Sequence, residues 1–120
     1  MIRNFLAVGL GGALGAMLRY GMTQLGNLLA WSSNLSTFAV NVLGSFIMGL
    51  LVSSCEQGTW LLLATVGLCG GFTTFSTFSN QTVTLLQQGK FGPALLYALG
   101  TVVVCVLAAW LGCLLGQKLS

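Results

Sequence analysis

Four apolar runs, at residues 4–25, 35–55, 59–87 and 93–117, occupy almost the whole chain. Each is as long as a helix needs to be to cross the hydrocarbon core of a bilayer. Across the 120 residues, 56% are hydrophobic and 4% charged, against roughly a quarter charged in soluble domains. The expected fold is an all-α membrane protein: one domain, 1–120, of four transmembrane helices joined by short turns. Residues 31–34, with Trp31 at headgroup level, make the first turn. Residues 56–58 make the second and 88–92 the third, after which Pro93 suits the opening turn of the last helix. Met1-Ile2-Arg3 looks like the start of a leader peptide. Because no small-x-small cleavage motif is followed by a soluble stretch, it is expected to be the start of a retained span.

Charge excludes several function classes. The net charge is +3 with no basic cluster, so nucleic acid is not an expected partner. With no histidine and a single acidic residue, Glu56, acid–base, metal and nucleophile–base chemistry lack their usual groups. Of the cysteines, Cys69, Cys105 and Cys113 sit inside apolar runs and Cys55 at the end of one. They have no CxxC spacing and read as small packing residues. Arg3 and Lys118 fall on one side of a four-span topology, Arg19 and Lys90 on the other. The positive-inside rule then gives no orientation bias, which permits insertion both ways and an antiparallel homodimer.

Glycine pairs four apart, Gly11/Gly15, Gly67/Gly71 and Gly112/Gly116, predict close helix approach. A phosphate-loop reading of residues 9–15 fails on spacing and context. Helices packed so tightly leave no room for a central pore, so any pathway is expected between subunits, duplicated by two-fold symmetry.

Residues 70–79, Gly-Gly-Phe-Thr-Thr-Phe-Ser-Thr-Phe-Ser, do not suit an ordinary span. Adjacent glycines weaken a helix, and five hydroxyl side chains compete for its backbone. The third helix is expected to break here, at mid-membrane depth, where freed backbone must be satisfied by protein, water or an ion. Were the stretch helical, Phe72, Phe75 and Phe78 would share one side.

Polar residues inside the spans form two stripes. Thr37, Asn41 and Ser45 recur every fourth residue in the second span, and Tyr97, Thr101 and Cys105 in the fourth. One such stripe reads as interhelical hydrogen bonding. Two of them beside a broken helix read as a track. The spans carry no acidic ring to attract cations. Amide and hydroxyl donors suit an anion, and so do the positive ring edges of Phe75 and Phe78, for which plain core packing is the competing reading. Arg19, near the end of the first span, reads as helix packing combined with a positive entrance, against an interface anchor.

Residues 11–20 (Gly-Gly-Ala-Leu-Gly-Ala-Met-Leu-Arg-Tyr), 41–46 (Asn-Val-Leu-Gly-Ser-Phe) and 70–79 resemble, in order, the motifs of the first three helices of the Fluc (CrcB) fluoride channels. The third motif is the specific one, and the resemblance covers essentially the whole chain. It implies a fluoride-selective channel in the bacterial inner membrane, acting as an antiparallel dual-topology homodimer with two pores. Passive export down the electrochemical gradient would lower cytoplasmic fluoride and confer fluoride resistance. By the same resemblance Phe75 and Phe78 face the ion and Asn41 lines the pore. Ser76 and Thr77 flank the path, with Tyr97 and Thr101 starting the track on the fourth helix. The backbone carbonyls of Gly70 and Thr73 are implied ligands of a central structural Na+, four oxygens coming from two copies. Two positions depart from the family pattern: Gln81 stands where a glutamate is usual, and Cys105 where a hydroxyl is usual.

Two other functions are weighed against this one. A small proton-coupled multidrug exporter shares the four-span architecture but needs a membrane-embedded carboxylate, and Glu56 lies in a loop. A packing subunit of a larger membrane complex would use only the glycine faces.

Overall fold

The computed structural model of the chain describes residues 1–119 and is helical apart from short connections. Its elements are α1 (Ile2–Leu28), α2 (Ser33–Ser54), α3 (Thr59–Leu62), a π-helical stretch (Leu63–Cys69), α4 (Gly70–Phe72), α5 (Phe75–Gln87) and α6 (Phe91–Leu119). Together they make four helical spans long and apolar enough to cross a membrane, the third running Thr59–Gln87 through its own interruption. Helices α1 and α6 extend beyond the apolar runs at both ends.

Capping chemistry accounts for the ends. Ser32 Oγ accepts from Leu35 N–H at 3.1 Å and starts α2. At the end of α1 the Trp31 N–H returns to the Gly26 carbonyl at 2.8 Å, with Ala30 in left-handed conformation at φ 63°. This is a Schellman-type stop in which alanine takes the position usually given to glycine. Helix α5 ends in the same way, Lys90 N–H reaching the Leu85 carbonyl at 2.9 Å with Gly89 at φ 77°.

Glycine sets the packing. A Cβ at Gly71 would lie 2.5 Å from the Gly12 carbonyl oxygen, and one at Gly67 would lie 2.8 Å from that of Val8. Gly11 and Gly15 present the reciprocal surface to Leu63, Gly67 and Leu68. So α1 meets the first half of the third span backbone to backbone. Gly49 and Gly112 do the same between α2 and α6. Association inside a bilayer rests on such close van der Waals contact, because lipid is as apolar as leucine. Buried residues are accordingly small or polar: Ala7, Val40, Ala94 and Ala108 beside Ser36, Thr37, Asn41, Thr65 and Thr101. Large residues of α6, such as Leu96, Leu99, Val103 and Val106, face outward.

Candidate functional site

The third span breaks at Thr73–Thr74, not at the glycines. Gly70 keeps helical torsions (φ −63°, ψ −38°). Thr73 (ψ 160°) and Thr74 (φ −149°, ψ 122°) are extended. In an unbroken helix the Thr74 N–H would bond the Gly70 carbonyl and the Thr77 N–H that of Thr73. Here Thr74 N–H donates to Asn41 Oδ1 at 2.8 Å, and Asn41 Nδ2 donates to the Thr74 carbonyl at 3.1 Å. The Thr77 N–H turns to Thr74 Oγ1 at 3.3 Å, making Thr74 the N-cap of α5. Arg19 Nε donates to the freed Gly71 carbonyl at 3.1 Å. Among the described residues no donor reaches the Gly70 or Thr73 carbonyl, and Gly70 is exposed.

An aromatic series follows the break. Phe75, 76% exposed, lies with its ring centroid 5.6 Å from that of Phe78, which is 7% exposed. Phe78 in turn lies 5.2 Å from Tyr97, both pairs tilted by about half a right angle. Tyr97 donates its hydroxyl to Gln81 Oε1 at 2.6 Å, and the Thr37 side chain faces the same phenol. Beside Phe75 and Phe78 a groove of about 220 Å³ is lined by Asn41, Ser45, Thr74 and Thr101 and by the Cys105 thiol. Thr101 also lines the groove, and its Oγ1 is buried with no hydrogen-bond partner, a state that costs free energy.

The expected pathway residues fall into three groups, with Arg19 apart. Asn41, Phe75, Phe78 and Thr101 share the groove with Thr73. Tyr97, Gln81 and Thr37 adjoin it through Phe78. Ser76 lies on the exposed face of α5, its Oγ 3.4 Å from Thr74 Oγ1, and Thr77 Oγ1 accepts from Thr74 Oγ1 at 3.2 Å. Arg19 is away from the groove lining and more than two turns inside α1. Its bond to Gly71 makes it a brace for the break and not an anchor at the span end. The three phenylalanines do not share a side. Phe72 precedes the break and lines a separate apolar cavity with Leu18, Met22, Gly44 and Ile47, because the extended pair 73–74 re-aims the chain before Phe75. Thr74, which sequence reasoning did not single out, is the node of the site. The available signal was a threonine three residues before another at the start of a helix, an N-cap spacing.

A family model described as CrcB-like protein, Camphor Resistance (CrcB), matches residues 6–113. The chain belongs to the CrcB-like family. Among its CrcB-like relatives is a Thermus thermophilus protein, 44% identical, with 98% of this chain and 97% of that protein covered. A Listeria monocytogenes protein is 43% identical over 97% and 99%, and one from Campylobacter jejuni is 44% identical over 93% and 96%. The first and third are named fluoride-specific ion channel FluC, and the second FluC 1. The CrcB-like match takes in the break, its Asn41 clamp and the groove.

Proposed function

We propose that the chain is a fluoride-selective channel that passes the anion out of the cell down its electrochemical gradient and so confers fluoride resistance. The observation that carries the reading is the broken third span, whose polar groups face an open groove edged by Phe75 and Phe78. The names of the relatives support it. Asn41 gives one Nδ2 hydrogen to Thr74, and the second is left to donate into the groove it lines. Thr101, whose hydroxyl has no other partner, lies further along the same lining. Ring edges of Phe75 and Phe78 carry the positive part of their quadrupole toward the ion. Tyr97, held by its bond to Gln81, keeps Phe78 in place, while Ser76 and Thr77 flank the approach. Arg19 adds positive potential behind the break. No span holds a carboxylate for proton exchange, which disfavours a proton-coupled exporter.

The functional unit in this reading is an antiparallel homodimer in the bacterial inner membrane. Phe75, Ser76 and Gly70 are each exposed in the single chain, and polar backbone at that depth requires cover by protein. The carbonyls of Gly70 and Thr73 fit a sodium site. Both are hard oxygen donors freed by the break, and two from each copy would make four. A bound Na+ would supply charge that offsets the aligned carbonyl dipoles.

The test is anion efflux from liposomes at fixed voltage. Fast fluoride efflux without chloride efflux is expected, and Phe75→Ile, at a residue exposed in the single chain, abolishes it. Equal passage of both ions, or none of either, refutes the proposal.

A further inference from the structure

The end of the bundle where α1 and the third span begin holds a second cavity, and it shares no residue with the groove. Its volume is about 540 Å³, and its lining includes Arg3, Asn4, Gln57 and Thr59 together with Leu61 and Leu62. Small-molecule sites commonly measure ~300–1,000 Å³. The Thr59 hydroxyl donates to Asn4 Oδ1 at 2.9 Å, which ties the two spans together and leaves both Asn4 Nδ2 hydrogens to donate elsewhere. Among the described residues the Arg3 guanidinium and the Gln57 amide have no hydrogen-bond or ion-pair partner. Glu56, the only acidic residue of the chain, is not part of the lining. The cavity therefore offers a permanent positive charge and free donors, with no carboxylate to oppose an anion. Guanidinium takes phosphate oxygens two at a time, with shorter and stronger bonds than a neutral donor makes.

Position decides the source of the phosphate. Two spans start here, at Ile2 and Thr59, so the cavity lies where the chain enters the bilayer. Trp60, next to Thr59, is 82% exposed, and an indole ring prefers the headgroup level. We propose that this cavity binds the headgroup of an anionic phospholipid of the phosphatidylglycerol type. Arg3 holds the phosphodiester, the Asn4 and Gln57 amides bond the phosphate and the glycerol hydroxyls, and Leu61 and Leu62 meet the start of an acyl chain. Phosphatidylcholine is disfavoured, because its ammonium finds no carboxylate in the lining and its net charge is zero. A lipid that engages Arg3 and Gln57 at once reinforces the Thr59–Asn4 tie, and a ligand held only by the folded chain stabilises it by mass action. The site does not depend on the channel reading.

The experiment titrates the full-length protein, in micelles of a neutral detergent, with phosphatidylglycerol and separately with phosphatidylcholine. Native mass spectrometry counts the lipid retained, and the unfolding midpoint is the second readout. Phosphatidylglycerol is expected to be retained in preference and to raise the midpoint. Arg3→Gln is expected to weaken its retention at least ~10-fold and to cancel the rise. Lys118→Gln removes the same charge at the same end of the bundle but outside the lining, and is expected to retain the lipid as the unaltered chain does. The proposal is overturned by equal retention of the two lipids, by a midpoint indifferent to phosphatidylglycerol, by undiminished retention in Arg3→Gln, or by the same loss in Lys118→Gln. Displacement of the bound lipid by an equal concentration of inorganic phosphate would assign the cavity to free phosphate and overturn the lipid reading as well.

Discussion

Asn41→Ala tests the centre of the site. The substitution removes two hydrogen bonds to one residue, from the Thr74 N–H at 2.8 Å and to its carbonyl at 3.1 Å. A side-chain hydrogen bond inside a bilayer contributes about 0.6 kcal/mol on average, which sets a floor of about 1 kcal/mol for the pair. The loss is larger if Thr74 cannot re-pair, because a buried polar group left bare costs ~1–3 kcal/mol. Re-pairing is obstructed here. Thr74 N–H could return to the Gly70 carbonyl only if residues 73–74 became helical, which would swing Phe75 and Phe78 out of the groove. An unfolding cost of about 3 kcal/mol is therefore expected. Fluoride efflux falls at least ~10-fold if the chain escapes to the helical arrangement, since 1.4 kcal/mol is one decade of population. The assay is denaturant-induced unfolding in micelles, paired with liposome efflux. Ser36→Ala, a buried change on α2 outside the groove lining that leaves the clamp intact, serves as the reference. A cost for Asn41→Ala below ~0.5 kcal/mol, with normal efflux, would refute the clamp.

Three further outcomes follow from the same geometry. Gly71→Ala places a Cβ 2.5 Å from the Gly12 carbonyl and is expected to abolish folded protein on gel filtration, whereas Gly70→Ala, with nothing nearer than 3.8 Å within the chain, preserves the folded chain. Gln81→Leu removes the acceptor of the Tyr97 hydroxyl and costs ~1–3 kcal/mol in unfolding. Gln81→Glu keeps an acceptor there and retains efflux; equal stability of the two variants would count against the pairing. Ala30→Gly relieves a left-handed alanine and stabilises by about 1 kcal/mol, read as a higher midpoint in the same unfolding assay.

The spans were legible because length and hydropathy decide whether a segment crosses a bilayer, whatever its neighbours do. The glycine pairs were legible for a similar reason: a residue without a side chain announces close approach. The break was legible to within the stretch 70–79, in which it falls, but not to the residue. Propensity points to Gly70–Gly71, yet these stay helical, because α1 packs directly on Gly71 and leaves no space for the chain to splay. The break falls instead where Asn41, 33 positions away, can take over the Thr74 backbone. Arg19 reaches Gly71 across 52 positions. Pairings at such separations leave no local pattern. The shared side expected for Phe72, Phe75 and Phe78 required a continuous helix and failed with it. The π-helical stretch Leu63–Cys69 likewise has no signature in composition.

The braces of the break are arranged unequally, and that asymmetry bears on assembly. Asn41 and Arg19 act from within the same chain on Thr74 and Gly71. Among the described residues the Gly70 and Thr73 carbonyls receive nothing, and Phe75 stands 76% exposed beside them. Against lipid, each unpaired carbonyl costs several kcal/mol. Against a second copy the same carbonyls could share a cation, and the Phe75 ring could be covered. The free energy unrealised in one chain is thus available to hold two together. In this proposal the site that conducts and the surface that assembles are the same groups. A variant that lets α5 continue the helix through Thr73–Thr74 would satisfy those carbonyls internally. It should weaken the dimer and stop conduction together, a coupling that subunit-exchange and efflux measurements on one preparation would detect. Loss of conduction with the dimer at full strength would separate the two roles and place the assembly energy in the apolar helix faces.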